Sequence, residues 1–257
     1  MALYREFKTL AVGQDGHVLH VRFNVPESGN AITQDVLNEL LTVLGAARDD
    51  TDIRVLVLSG AGEDFCLGGD LREYDALLAE DPAGAGIATL GAKARQVCDA
   101  LATADLVTVA RLHGRVVGAG LALALFCDLR VGSDTSRFRM PELAVGIPMA
   151  WGGAVARLLQ EAGAARIREL LLLGTSFDAV TARDLAVLHR IAPEHELDQV
   201  IREWTGPLVR RSPVALRVTK ALLNSYAAAS RLADASIVEG ELLAAALAAR
   251  NRTRHEI

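Results

Sequence analysis

Short β-branched runs alternate with helix-forming stretches from about Val18 to Leu159, and this alternation constrains the fold more than any other feature. HVLHVRF (His17 to Phe23) reads as a strand, and IRVLVLS (Ile53 to Ser59) as a strand buried on both faces. Between them Thr33 is placed to cap a helix in which Val36, Leu37, Leu40, Leu41 and Leu44 recur at helical spacing. Asp70 stands in the same relation to LREYDALLAE. A helix through Val97 and Leu101, the strand LVTVARL, a glycine-rich helix and the strand DLRVGS continue the series, which defines an α/β architecture. The stretch DPAGAG, Asp81 to Gly86, is the most loop-like in the chain and reads as a surface segment. From Ala164 onward the pattern is helical, with one short strand-like piece near Val187 to Ala192. ELLAAALAAR, near the C-terminus, carries more apolar surface than a solvated helix needs, so packing on a partner subunit is expected.

Two glycine-bearing stretches about fifty residues apart, FCLGGDL (Phe65 to Leu71) and VVGAGLALALFCDLR (Val117 to Arg130), stand out within this pattern. A loop without Cβ atoms lets a ligand approach the main chain closely. A glycine-rich helix start adds unpaired N–H donors and the positive end of a helix dipole. Two such sites converging on one carbonyl oxygen make an oxyanion hole. Glu142, in FRMPEL, is a carboxylate between Pro141 and an apolar run. Donors plus one carboxylate suggest proton abstraction beside a carbonyl. Helix–strand packing for the glycines and a first-turn position for Glu142 are the structural alternatives.

The rest of the composition narrows the function classes. With 51% hydrophobic and 23% charged residues, the 257-residue chain has an ordinary globular balance and can bury a large core. A formal net charge of −5 argues against general nucleic-acid binding, which needs a basic footprint. MALYREFKTL has charges where a signal peptide needs an apolar run, and Arg or Asp interrupts every apolar stretch short of membrane-spanning length. A cytoplasmic protein without membrane contact is expected. Cys66, Cys98 and Cys127 lack metal-ligand spacing and read as reduced core cysteines, so no metal site is expected.

Taken in order, these motifs resemble the enoyl-CoA hydratase/isomerase (crotonase) superfamily. FCLGGDL is similar to its oxyanion loop, VVGAGLALALFCDLRVGSDTSRF to the following helix and strand, and MPELAVGIPMAWGG to its catalytic turn. NVPESGNAIT and ALRVTKALLN extend the match over nearly the whole chain. The resemblance implies a spiral of repeated β-β-α units over residues 1–195 and a helical trimerisation region over 196–257, assembled as a trimer or a dimer of trimers. It implies an acyl-CoA thioester as substrate, with coenzyme A entering as part of that substrate and no separate cofactor. Gly69 and Ala119 match the family residues whose backbone N–H groups bind the thioester carbonyl, and Glu142 matches its second catalytic glutamate. Leu67, Gly69, Asp70, Leu71, Arg72 and Ala119 are the substrate-binding positions implied.

Departures from the family pattern decide the reaction. The position of the other hydratase glutamate is Ala122 here, and a later acidic position used by dienoyl-CoA isomerases falls on Ala150. One family carboxylate remains, which favours enoyl-CoA isomerisation over hydration. Atypical hydration or hydratase-lyase chemistry with Glu142 alone, and a catalytically weak acyl-CoA-binding protein, are the alternatives. Tyr74 occupies a position where the family has an apolar residue. It and Trp151 fit either an acyl pocket or a core. His113, Asp128, Arg115, Arg137 and Arg139 are expected in structural hydrogen bonds and ion pairs. The resemblance leads one to expect an A-F-x-E-K-R segment that ARNRTRHEI lacks; Arg250, Arg252 and Arg254 are candidates for its charge, with a frayed basic terminus as the default reading.

Overall fold

The computed structural model describes residues 6–229 and 238–255. β1 (Leu10–Asp15) and β2 (Val18–Phe23) form an antiparallel hairpin, and β3 (Val55–Gly60) and β4 (Val107–Leu112) follow β2 in parallel. After β5 (Arg115–Val117), the chain adds β6 (Leu129–Ser133) beside β4. β7 (Arg137–Arg139) and β8 (Phe177–Asp178) precede β9 (Arg190–Ala192), which completes a six-stranded sheet of order β1-β2-β3-β4-β6-β9. β5, β7 and β8 make a second, three-stranded sheet.

Period-two geometry sends alternate side chains of the central strands to opposite faces. Leu56 and Leu58 of β3 join Leu19, Val21 and Phe23 in the main core, against α1 (Gln34–Asp49). Val55 and Val57 point the other way, with Val107, Val109 and Val131, into a second cluster. Each fully buried side chain of this size contributes roughly 1.5–3 kcal/mol. This explains why the runs are continuous rather than alternating in polarity.

Caps fix the first helices. Thr33 Oγ1 accepts from the Val36 N–H at the start of α1, and Asp70 from the Arg72 N–H at the start of α2 (Leu71–Glu80). α3 (Ala85–Thr103) begins inside the segment that the sequence assigns to a loop. The Asp81 carboxylate accepts from the N–H groups of Ala83 and Ala85, and these bonds start the helix one residue before Gly86 ends the loop-like run.

The strands that follow sheet residues are short and peripheral, which produces a spiral. Each turn of chain places one strand in the large sheet and a brief extended piece in or beside the small one, then a helix. β4, β5 and α4 (Ala119–Leu125) make one such turn. β3, the Cys66 bridge to Val116, and α2 make the preceding one. The Ile32 bridge to Gly69 ties the turn before that to the same edge.

α5 (Ala154–Ala162) packs on α4 and on α6 (Ala164–Leu173), and α7 (Ala179–Asp184) packs on β7 and β8 of the small sheet. α8 (Leu197–Arg210) covers the outer face of the large one through Leu197, Val200 and Ile201. α9 (Pro213–Ala229) is anchored by Lys220, a buried cation whose Nζ donates to the carbonyls of Leu101 and Leu106 at 3.2 and 3.0 Å. Asp128, 2.8 Å away, balances its charge, and Thr108 donates to the same carboxylate. Asp128 is thus a paired structural carboxylate. α10 (Glu239–His255) returns across α3 and meets it closely enough that a Cβ on Gly91 would lie 2.7 Å from Gly240 Cα. The side chains of Arg250, Arg252 and Arg254 lie outside the described residues. Among the described residues, no helix is long and apolar enough to cross a membrane.

Candidate active site

The two glycine-bearing stretches meet. Cys66 N–H donates to Arg115 O and Val117 N–H to Cys66 O, which lays FCLGGDL along β5. A Cβ on Gly68 would stand 3.8 Å from the Ala119 nitrogen, so the loop and the start of α4 are adjacent. Gly118 has φ of 50°, a left-handed value that favours glycine, and this turn directs the first N–H groups of α4 back toward the loop. Gly120 serves packing: a Cβ there would lie 2.6 Å from Cys66 Cβ. The packing reading of GAG therefore holds for Gly120.

Neither the Gly69 N–H nor the Ala119 N–H has an acceptor among the described residues, whereas Gly118 N–H donates to Arg139 O and Asp70 N–H to Ile32 O. Both free donors border one cavity of about 190 Å³. Its wall includes Leu67, Gly68, Gly69, Leu71, Ala119, Glu142, Ala150 and, from the far end of the chain, Leu243. Of the substrate-binding positions expected from the sequence, Asp70 and Arg72 are not in this wall. Asp70 caps α2, and the Arg72 guanidinium beside it holds its carboxyl below the usual carboxylate range.

Glu142 enters from a short 3-10 turn, Glu142–Val145, that follows β7 and Pro141. A Cβ on Gly118 would come within 3.0 Å of Glu142 Oε1, so the glycine also makes room for the carboxyl. Burial against the apolar wall raises the Glu142 pKa from 4.5 to about 7. A base so tuned can both take and return a proton near neutrality. If Glu142 is the base, kcat/KM should rise about tenfold per pH step below about 7 and level off above it. A flat profile between about pH 5 and about pH 8 would remove Glu142 from that role.

Ala122 is fully buried in α4 and does not reach the cavity wall, while Ala150 does. Neither supplies a carboxylate. Tyr74 and Trp151 both line the cavity. His113 Nε2 donates to Gly62 O, Arg115 pairs with Asp64, Arg137 donates to the carbonyls of Thr135 and Ser136, and Arg139 donates to Gly174 O, all structural contacts. The three cysteines are buried and unpaired, and burial pushes the Cys66 and Cys127 thiols up to about 12. A larger open groove of about 690 Å³ runs between the large sheet and α8 past Arg22, Arg111 and Arg202. It lies away from the free N–H pair and Glu142, so volume alone does not mark the site.

The α/β spiral thus brings two free backbone donors and one half-buried carboxyl group to a single cavity. The model of the enoyl-CoA hydratase/isomerase family matches residues 13–254. A probable enoyl-CoA hydratase of Mycobacterium tuberculosis is 28% identical over 247 residues, covering 96% of this chain and 93% of its own. A peroxisomal Δ3,5-Δ2,4-dienoyl-CoA isomerase of Arabidopsis thaliana is 27% identical over 231 residues, 87% of this chain and 83% of that one. Among solved structures, Pseudomonas aeruginosa AtuE has a TM-score of 0.81 and 31% identity, over 96% of this chain and 91% of that one. The chain belongs to the enoyl-CoA hydratase/isomerase family, and its fold is the crotonase fold.

Proposed function

We propose that the chain catalyses enolate-stabilised proton transfer on an acyl-CoA thioester, with isomerisation of a 3-enoyl-CoA to the conjugated 2-enoyl-CoA as its main reaction. The observation that carries this reading is the pairing of the free Gly69 and Ala119 N–H groups with Glu142, the only carboxylate in the cavity wall among the described residues. The two N–H groups donate to the thioester oxygen. Glu142 removes a proton from the α-carbon, the electron pair moves into the dienolate, and the oxygen takes up negative charge where the donors stabilise it. The protonated Glu142 then returns the proton to the γ-carbon, which leaves the double bond conjugated and the carboxylate restored.

Hydration is the second reading, favoured by the hydratases among the relatives. It needs a group that holds the attacking water, and the position matching the family's second glutamate is the methyl group of Ala122. The two are separated by initial rates on matched substrates. Wild-type protein should convert a 3-enoyl-CoA to its 2-isomer faster than it hydrates the 2-enoyl-CoA, with products identified directly. Hydration as fast as isomerisation would overturn the preference, and neither reaction would leave an acyl-CoA binder.

Exposed apolar side chains on α9, Val214, Val218, Leu222, Leu223 and Tyr226, support the proposal of a trimer or dimer of trimers, as do Leu172 and Leu173 at the end of α6. Coenzyme A is taken as part of the substrate, without a separate cofactor, and a cytoplasmic location remains part of the proposal.

A further inference from the structure

Among the described residues Tyr74 carries the one hydroxyl in the cavity wall, and nothing in the proton transfer above uses it. It lies in the first turn of α2 with its side chain 3% exposed. Its Oη stands so close to Gly69 that a Cβ on the glycine would collide with it. The Trp151 indole N–H, which can only donate, is directed at the phenol oxygen. The phenol proton is therefore left to be donated elsewhere. Among the described residues no acceptor takes it, and although Glu142 lies near enough to disfavour a phenolate, no hydrogen bond joins the two. Burial raises the Tyr74 pKa further, so the group is a neutral donor at every working pH.

The hydroxyl faces the cavity rather than the closed core, and among the described residues the rest of the wall is apolar apart from Glu142 and Trp151. A tyrosine serving packing alone would not need its hydroxyl at this place, since phenylalanine fills the same volume. The hydroxyl also sits beside Gly69, whose N–H addresses the thioester oxygen, so what it meets lies near that end of the acyl group.

We propose that the acyl group accepted here carries an oxygen a few bonds from the thioester carbonyl, and that the Tyr74 O–H donates to it. This rests on the acyl-CoA reading above and narrows it to oxygen-bearing acyl groups. Tyr74 is then a specificity-determining residue, with Trp151 as its positioning residue. A site built to bond a ligand oxygen discriminates against the analogue that lacks it, because its own polar group is left unpaired.

Binding constants test this without turnover. Butyryl-CoA, 3-hydroxybutyryl-CoA and 4-hydroxybutyryl-CoA share the coenzyme, so differences between them report the acyl pocket. They are titrated into the Glu142→Gln protein, to prevent reaction, with Tyr74 and with Tyr74→Phe. At least one hydroxylated ligand should bind roughly tenfold tighter than butyryl-CoA when Tyr74 is present. That preference should vanish in Tyr74→Phe and weaken in Trp151→Phe, while butyryl-CoA affinity holds or improves. Equal binding of all three ligands with Tyr74 present, or a preference unchanged by Tyr74→Phe, would overturn the proposal. A uniform loss for all ligands in Tyr74→Phe would mark a packing role and overturn it too. Failure of every CoA ester to bind would instead sink the acyl-CoA reading itself.

Discussion

Glu142→Gln should lower turnover of any acyl-CoA substrate by about 10²–10⁴-fold while leaving its binding in place. The amide keeps the shape of the carboxyl but cannot take a proton from the α-carbon. The same substitution has an opposite effect on stability, because the carboxyl is raised from 4.5 to about 7 in the folded state. A group raised in this way favours the fold when neutral, so its contribution is intact below about pH 4.5 and is lost as pH rises through about 7. At pH values above about 7 the amide variant should therefore gain on the order of 3 kcal/mol at most over the wild type, and below about 4.5 nearly nothing. Stability by urea titration at both ends, alongside the activity assay, reads the two effects from one protein. A variant that keeps near-full activity, or one no more stable at high pH, contradicts the buried-base assignment.

Gly69→Pro should depress turnover by roughly 10²–10³-fold, since it deletes one of the two free N–H groups to which the proposed function assigns the thioester oxygen. Proline also adds a side chain where any Cβ would press on Tyr74. Gly69→Ala is the matching control, because it adds the Cβ but keeps the N–H. Combining each with Tyr74→Phe removes the obstructing hydroxyl. If the N–H matters, the proline variant stays far below the alanine variant in both backgrounds. Equal activity of the folded alanine and proline variants would show that the Gly69 donor is not used.

Local hydrogen-bonding chemistry was legible in the sequence. Thr33 and Asp70 each precede a helical repeat, and each caps the helix it announces. The long apolar strands are likewise evident, because both faces are buried. β1 was not recognised: it is an edge strand containing Gly13, and much of it is partly exposed, so no clear period appears. The second sheet is invisible to periodicity for a simpler reason. β5 and β7 have three residues each and β8 two, too few to display any period. That Gly69, Ala119 and Glu142 belong to one candidate site was legible because their motifs are contiguous in sequence, and the three border one cavity. Asp70 and Arg72 were expected to touch ligand, yet the capping bond occupies the Arg72 N–H and the ion pair its side chain. The arrival of Leu243 could not be read from spacing, since it depends on how a helix from the far end of the chain packs.

α10 has a consequence for how the protein comes into being. Leu243 closes part of the cavity, and Glu239 accepts from the Gly153 N–H at 2.7 Å, tying that helix to the start of α5. The cavity is thus bounded by groups from the first third, the middle and the last helix of the chain. Contacts between such distant segments carry the largest loop-closure cost and tend to form late in folding. A ribosome-bound chain can assemble the large sheet and still present an open, unfinished cavity. Acyl-CoA recognition should accordingly appear in one step at the end of folding, and ligand affinity should report docking of α10 more sensitively than helix or sheet content does.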